Sequence, residues 1–304
     1  MRIVARTTGG DGLMSVPLRA DTGRGSSHRG LTIAVTSGKG GVGKTTLTVN
    51  LAIALAHLNN RVGILDGDFG LGNVDVMLGL TPISHIGAVL TGQKELGEIG
   101  ATTVAGVRVF PAGNGIRSLT ALPGGHWDRL RSGIADLSST LDYLLVDTGP
   151  GIGDTALTVA RATDRAIVVT TCEPTALVDA YAMTKLLLAA TPRRQVGLVV
   201  NMAKNAAEAL LVARQLSNAV QQFLGAAIRY YGHIDRDPHV ADSVQAQRPL
   251  MSSDVDSPAA DAYRRLARRI VQWTPPTLDR MATADHDGVP SLDEFARTEA
   301  RSCA

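Results

Sequence analysis

Ser37-Gly38-Lys39-Gly40-Gly41-Val42-Gly43-Lys44-Thr45-Thr46 lies between two patterned segments. Before it runs Leu31-Thr32-Ile33-Ala34-Val35, with the length and β-branched content of a buried strand. After it, Leu47, Leu51, Leu55 and Leu58 keep helical spacing. Gly38, Gly43, Lys44 and Thr45 fit G-x-x-x-x-G-K-[ST], a loop in which glycines turn successive backbone N–H groups inward around a polyphosphate. Gly38, Lys39, Gly40, Gly41, Val42, Gly43, Lys44, Thr45 and Thr46 make up the expected nucleotide-binding stretch. Lys44 reaches the β/γ-phosphates and the Thr45 hydroxyl holds Mg²⁺. The following helix points the positive end of its dipole at the same anion.

The 304 residues, 44% hydrophobic, suffice for one large α/β domain with tails. A net charge of +2 does not favour nucleic acid as a partner. Cys172 and Cys303 are far apart and form no C-x-x-C. Disulfide scaffolds, zinc ribbons and thiolate-held clusters are therefore not expected, and a reducing cytoplasm is the simple reading. Residues 1–30 carry five Arg against two Asp and lack an apolar h-region, so they read as a disordered basic arm, not a signal peptide. No apolar run approaches the roughly 18 residues of a membrane span. Residues 31–274 form the expected nucleotide-binding domain, and 275–304, with three Arg against six Asp and Glu, an acidic flexible tail.

A second expected strand, Arg61-Val62-Gly63-Ile64-Leu65-Asp66, ends in two carboxylates, Asp66 and Asp68. Parallel sheets of the doubly wound kind present ligands at the carboxyl ends of their strands, which puts both acids near the phosphates. Residues 84–90 suggest a short helix, 107–110 a strand and 127–138 a helix. Tyr143-Leu144-Leu145-Val146-Asp147-Thr148-Gly149-Pro150-Gly151 is another strand ending in an acid and glycines, a Walker B type of arrangement in which Asp147 binds Mg²⁺ through water. Strand–helix units follow at 166–171 with 175–190 and at 196–200 with 206–224, then a strand at 228–232. This alternation means a doubly wound, mostly parallel sheet. Asn201 ends its strand, where an amide serves an adenine edge or simply caps the strand. The last helix, 258–273, has Tyr263, Leu266, Ile270 and Trp273 on one face and Arg264, Arg265, Arg268 and Arg269 on the other. It is read as a terminal helix packed on the sheet or as a membrane-surface helix.

Lys39, directly after the first glycine, is not required by an ordinary phosphate loop. The string K-G-G-x-G-K-T resembles the deviant Walker A motif of the MinD/ParA ATPases. The resemblance implies a P-loop NTPase fold, ATP and Mg²⁺ as ligands, slow hydrolysis, and an ATP-dependent homodimer in which Lys39 reaches the partner's nucleotide. It implies that Lys39, Lys44 and Asp68 are catalytic, with Asp68 orienting the attacking water. Thr45, Asp66 and Asp147 then serve the metal, and Asn201 the adenine. Phe110-Pro111-Ala112-Gly113-Asn114-Gly115, Asp147-Thr148-Gly149-Pro150-Gly151-Ile152 and Cys172-Glu173-Pro174-Thr175-Ala176 look like the FlhG branch, also called FleN or YlxH. That branch implies control of flagellar position or number, with an FlhF-type GTPase and flagellar switch or regulatory proteins as partners. Action at the inner face of the membrane is a further implication. The alternative within the family is ParA-like DNA partitioning or MinD-like septum placement. Three departures stand out: no D-Q-A-x-x-L-R string occurs in residues 1–30, residues 275–304 are acidic where relatives often carry a basic amphipathic segment, and Asp235 stands where many relatives carry Pro near the adenine.

Overall fold

The computed structural model describes residues 29–103, 105–113, 124–191, 195–273 and Leu292. The basic arm expected for 1–30 lies outside them up to residue 28, as does the acidic tail apart from Leu292. That residue packs against the core cluster that includes Ala34, Val168 and Val200.

Strand β1 (Leu31–Thr36) is buried at every position, and helix α1 (Lys44–His57) follows the loop. Then come β2 (Val62–Gly67), α2 (Val74–Met77), α3 (Ile86–Leu90), β3 (Ala101–Thr102) and β4 (Arg108–Phe110). Helix α4 (Gly124–Thr140) leads to β5 (Tyr143–Thr148), α5 (Asp154–Arg161), β6 (Arg165–Thr170) and α6 (Pro174–Ala190). The chain closes with β7 (Gln195–Ala203), α7 (Ala206–Leu224), β8 (Arg229–Asp235), α8 (Pro238–Gln245) and α9 (Pro258–Gln272).

The eight strands form one sheet in the order β3-β4-β2-β5-β1-β6-β7-β8. All neighbours are parallel except β3 with β4. The chain winds from β1 in both directions, so the crevice where the strand order diverges lies at the carboxyl end of β1, where such sheets bind ligands.

Both faces are covered, which is why the central strands read as near-continuous apolar runs. Alternation decides which layer each side chain meets. Ile33, Val35, Leu145 and Val169 join the core under α1 and α9, whereas Ala34, Val168 and Val200 join the one under α5, α6 and α7. A third cluster, with Leu65, Phe110 and Val146, is closed by Leu130, Ile134 and Leu137 of α4. Helix α9 settles its two sequence readings in favour of packing. Tyr263, Leu266 and Ile270 are each 1% exposed; of its arginines, Arg268 is exposed, Arg264 and Arg265 are half-buried, and Arg269 donates to the Tyr231 carbonyl of β8. Among the described residues no helix is long and apolar enough to cross a membrane.

Candidate functional site

The loop between β1 and α1 is shaped by torsion and by space. Gly41 (φ 78°) and Gly43 (φ 86°) occupy the left-handed region that L-residues rarely adopt. Gly38 is needed for room, because a Cβ there would run into the backbone carbonyl of Asp179 in α6. Gly43 is also the N-cap of α1, and no side chain caps that helix. A helix start whose first N–H groups are left to an outside acceptor is the form that fits a phosphate.

Around this cradle the structure brings together the residues singled out in sequence. Lys44 is 7% exposed at the first position of α1. Burial holds its pKa below the usual lysine value, while the carboxylates of Asp147 and Asp68 pull in the opposite direction. Thr45 Oγ1 donates to Asp147 Oδ2 at 2.6 Å, and Thr48 Oγ1 reaches Asp147 Oδ1 at 3.3 Å. Thr48 was not singled out in sequence. Its place one turn after Thr45, facing the same strand end, is the signal that could have found it. Thr46 contributes its carbonyl, which accepts from Asn50 Nδ2.

Asp66 and Asp147 are register partners on β2 and β5, so two buried acids sit side by side. Burial, then the neighbouring Asp147 charge, pushes Asp66 up to about 8. Burial pushes Asp147 up to about 6, against the hydroxyl of Thr45 and the charge of Lys44. Asp66 is tied down: Oδ1 accepts from the Asp68 N–H and Oδ2 from the Val74 N–H, which fixes the loop between them. Asp68 is half-buried, accepts from the Leu71 N–H at 3.1 Å and faces Gly149 across the site.

The donor set fits Mg²⁺ held jointly with a polyphosphate. Among the described residues no cluster of three or more His, Cys, Asp or Glu could cage a metal alone. Mg²⁺ characteristically takes one or two protein oxygens and completes its shell with phosphate and water. Thr45 and Asp147 supply such oxygens, and a divalent cation there would favour ionisation of both raised acids.

Asn201 is 5% exposed, and its Nδ2 donates to the Val42 carbonyl of the loop at 2.8 Å while Oδ1 accepts from the Met202 N–H. The amide therefore braces the cradle from β7. Lys39 is turned sideways: Nζ lies 2.7 Å from Glu173 Oε2 and 3.1 Å from Thr175 Oγ1. Nothing in the sequence joins these residues, which are more than 130 positions apart.

Residues 33–250 match the family described as CobQ/CobB/MinD/ParA nucleotide binding domain. The chain is 40% identical over 256 residues to the antiactivator FleN of Pseudomonas aeruginosa, covering 84% of this chain and 91% of that protein. It is 41% identical over 155 residues to the flagellum site-determining protein YlxH of Helicobacter pylori, spanning 51% of this chain and about half, 52%, of that relative. MinD in the Aquifex aeolicus MinC:MinD cell division complex superposes with a TM-score of 0.66 at 29% identity, covering 81% of this chain and 98% of that one. The left-handed glycine loop, the buried lysine and the paired strand-end acids are thus those of a known architecture: the chain belongs to the MinD/ParA group of nucleotide-binding P-loop ATPases.

Proposed function

We propose that this chain is a Mg²⁺-dependent ATPase switch that dimerises around ATP and sets the number or placement of flagella. Its similarity to an antiactivator and to a flagellum site-determining protein supports the output. The single observation that carries the switch is the arrangement of its two lysines. Lys44 is sunk into the cradle, while Lys39 stands on the rim with 39% of its side chain exposed, held only by a solvent-exposed pair with Glu173 that it can exchange for the phosphates of a second molecule.

The roles follow from the placement. Loop amides and Lys44 neutralise the β/γ-phosphates. Thr45 and Asp147 would hold Mg²⁺, which supplies further charge neutralisation when bound, and Asp66 fixes the loop that carries Asp68. Asp68, between Lys44 and the Gly149 turn, orients the attacking water. Asn201 holds the cradle in shape and borders the adenine. Hydrolysis resets the partner-binding surface for an FlhF-type GTPase or flagellar regulatory proteins in the cytoplasm. Size measurement by light scattering with and without ATP, for the unaltered chain and Asp68→Ala, tests this reading. The substitution should prolong the ATP-bound dimer. A dimer that decays at the unaltered rate would overturn the role of Asp68.

A further inference from the structure

The nucleotide loop occupies the carboxyl end of the sheet, and a different cluster occupies the amino end. Arg165 opens β6, Gln195 opens β7 and Arg229 opens β8. Arg165 and Gln195 are register partners, and Arg229 pairs two residues further along β7 with Gly197. Their alternation with Ile167, Val199 and Tyr231, which belong to one core cluster, places all three on the α9 face. Trp273, at the end of α9, closes the group: its ring lies 5.5 Å from the Arg229 guanidinium carbon and 5.2 Å from the Tyr231 ring.

The charges there do not balance. Arg165 is 2% exposed, yet its Nε has no hydrogen-bond partner, and its Nη1 makes one long bond, 3.3 Å, to the Trp273 carbonyl. The buried Gln195 Oε1 is likewise without a partner. Arg229 is held below the ordinary arginine value by burial, partly offset by Tyr231, and the nearby Arg165 charge lowers it further. Among the described residues neither guanidinium has a carboxylate partner. The α9 C-terminus contributes roughly half a negative charge, too little for two guanidiniums. Arg229 is half-buried and hydrogen-bonded to the Tyr231 side chain, so Arg165 is the guanidinium that burial leaves short of acceptors; a guanidinium in that position characteristically faces an oxyanion that accepts two parallel bonds.

We propose that this rim is an oxyanion site, in which a phosphate or carboxylate group sits between Arg165 and Arg229, with Trp273 as the apolar wall. Two sources present that chemistry. One is a free phosphate-bearing small molecule. The other is the chain's own acidic stretch beyond Trp273, which carries Asp279, Asp285, Asp287, Asp293, Glu294 and Glu299.

Trp273 provides a local probe, since the protein's other tryptophan is removed by Trp127→Phe. In that full-length background, with the nucleotide loop saturated by Mg-ADP, inorganic phosphate is titrated at constant ionic strength. Trp273 emission and Tm are followed. A second protein carries the six tail acids as Asn or Gln. A saturable emission shift in the parent identifies a free anion as the source. A shift only in the tail-neutralised protein identifies the tail carboxylates. In both cases Arg229→Gln should abolish the shift and lower Tm by about 2–4 °C, whereas Arg229→Lys should retain part of the response. No shift in either protein, or a Tm raised by Arg229→Gln as like-charge repulsion is relieved, would overturn the proposal.

Discussion

Lys39 and Glu173 form an ion pair within a single chain, Nζ to Oε2 at 2.7 Å, with Thr175 as a second acceptor. The lysine that distinguishes this loop is thus occupied at home, by the N-cap residue of α6 and by Thr175 in its first turn. Both charged side chains are exposed, 39% and 66%, so the pair holds weakly and is screened by salt. Glu173→Gln should lower the ATP concentration at which dimers form. Analytical ultracentrifugation against ATP checks this, and a higher threshold would contradict it. Lys39→Ala should keep nucleotide binding and lose the dimer, whereas Lys44→Ala should lose both.

Asn201 connects β7 to the cradle through one buried bond to the Val42 carbonyl. Removing a buried partner of this kind costs about 1–3 kcal/mol. Asn201→Ala should therefore weaken nucleotide binding by calorimetry. Asn201→Asp should be worse, since it sets a carboxylate against a carbonyl oxygen.

Asp237 ties α8 to α9. Its Oδ1 accepts from the His239 N–H and its Oδ2 from the Ala259 N–H, at 3.0 and 3.2 Å. Burial alone would raise its pKa, but these donors, with the His239 and Ser257 side chains, outweigh it and hold the carboxyl below the usual value. A depressed folded pKa contributes stability that is present above the unfolded value, near 3.9, and is lost as pH falls through the folded one. Asp237→Asn should cost about 1–3 kcal/mol at pH 7. The difference from the unaltered chain should shrink below about pH 4 in urea melts. An undiminished gap there would show that the charge is not the cause.

Cys172, two residues past the end of β6, is in no disulfide and is partly exposed. Burial, then the adjacent Glu208 carboxylate, pushes its thiol up to about 11. The reactive thiolate should be roughly 100-fold scarcer than in an ordinary cysteine at neutral pH. In a Cys303→Ser background, iodoacetamide labelling at pH 7.5 should be correspondingly slow, and Glu208→Gln should speed it. Rapid labelling of the unaltered Cys172 would exclude the effect.

The sheet was legible wherever an apolar run was long enough to be buried on both faces, as in β1, β2 and β5. Strand β3 was not, since its two residues are defined by bonds to β4 and carry no pattern of their own. Helices α5 and α8, of eight residues each, are too short to declare a period. The strand expected at 228–232 runs from Arg229 to Asp235, because Gly232, which reads as a terminator, stays within the ladder at φ 134°, just after Tyr231 interrupts the register between β7 and β8. In the site, Lys44, Thr45, Asp68 and Asp147 converge as their motifs indicate. The grip of Asn201 on Val42 and the tether on Lys39 depend on strand register and on the angle of α6, which no local spacing encodes.

Two glycines of the loop are closed to other residues for unlike reasons. At Gly41 an added Cβ meets nothing within 4 Å, so the obstacle is handedness alone. At Gly38 the obstacle is occupancy by the α6 backbone. Alanine at 41 should leave a folded chain with a torsional cost of about 1–2 kcal/mol. Alanine at 38 has no such escape: it must displace a helix belonging to another strand unit. The first glycine therefore records the position of α6 as much as it serves the phosphate.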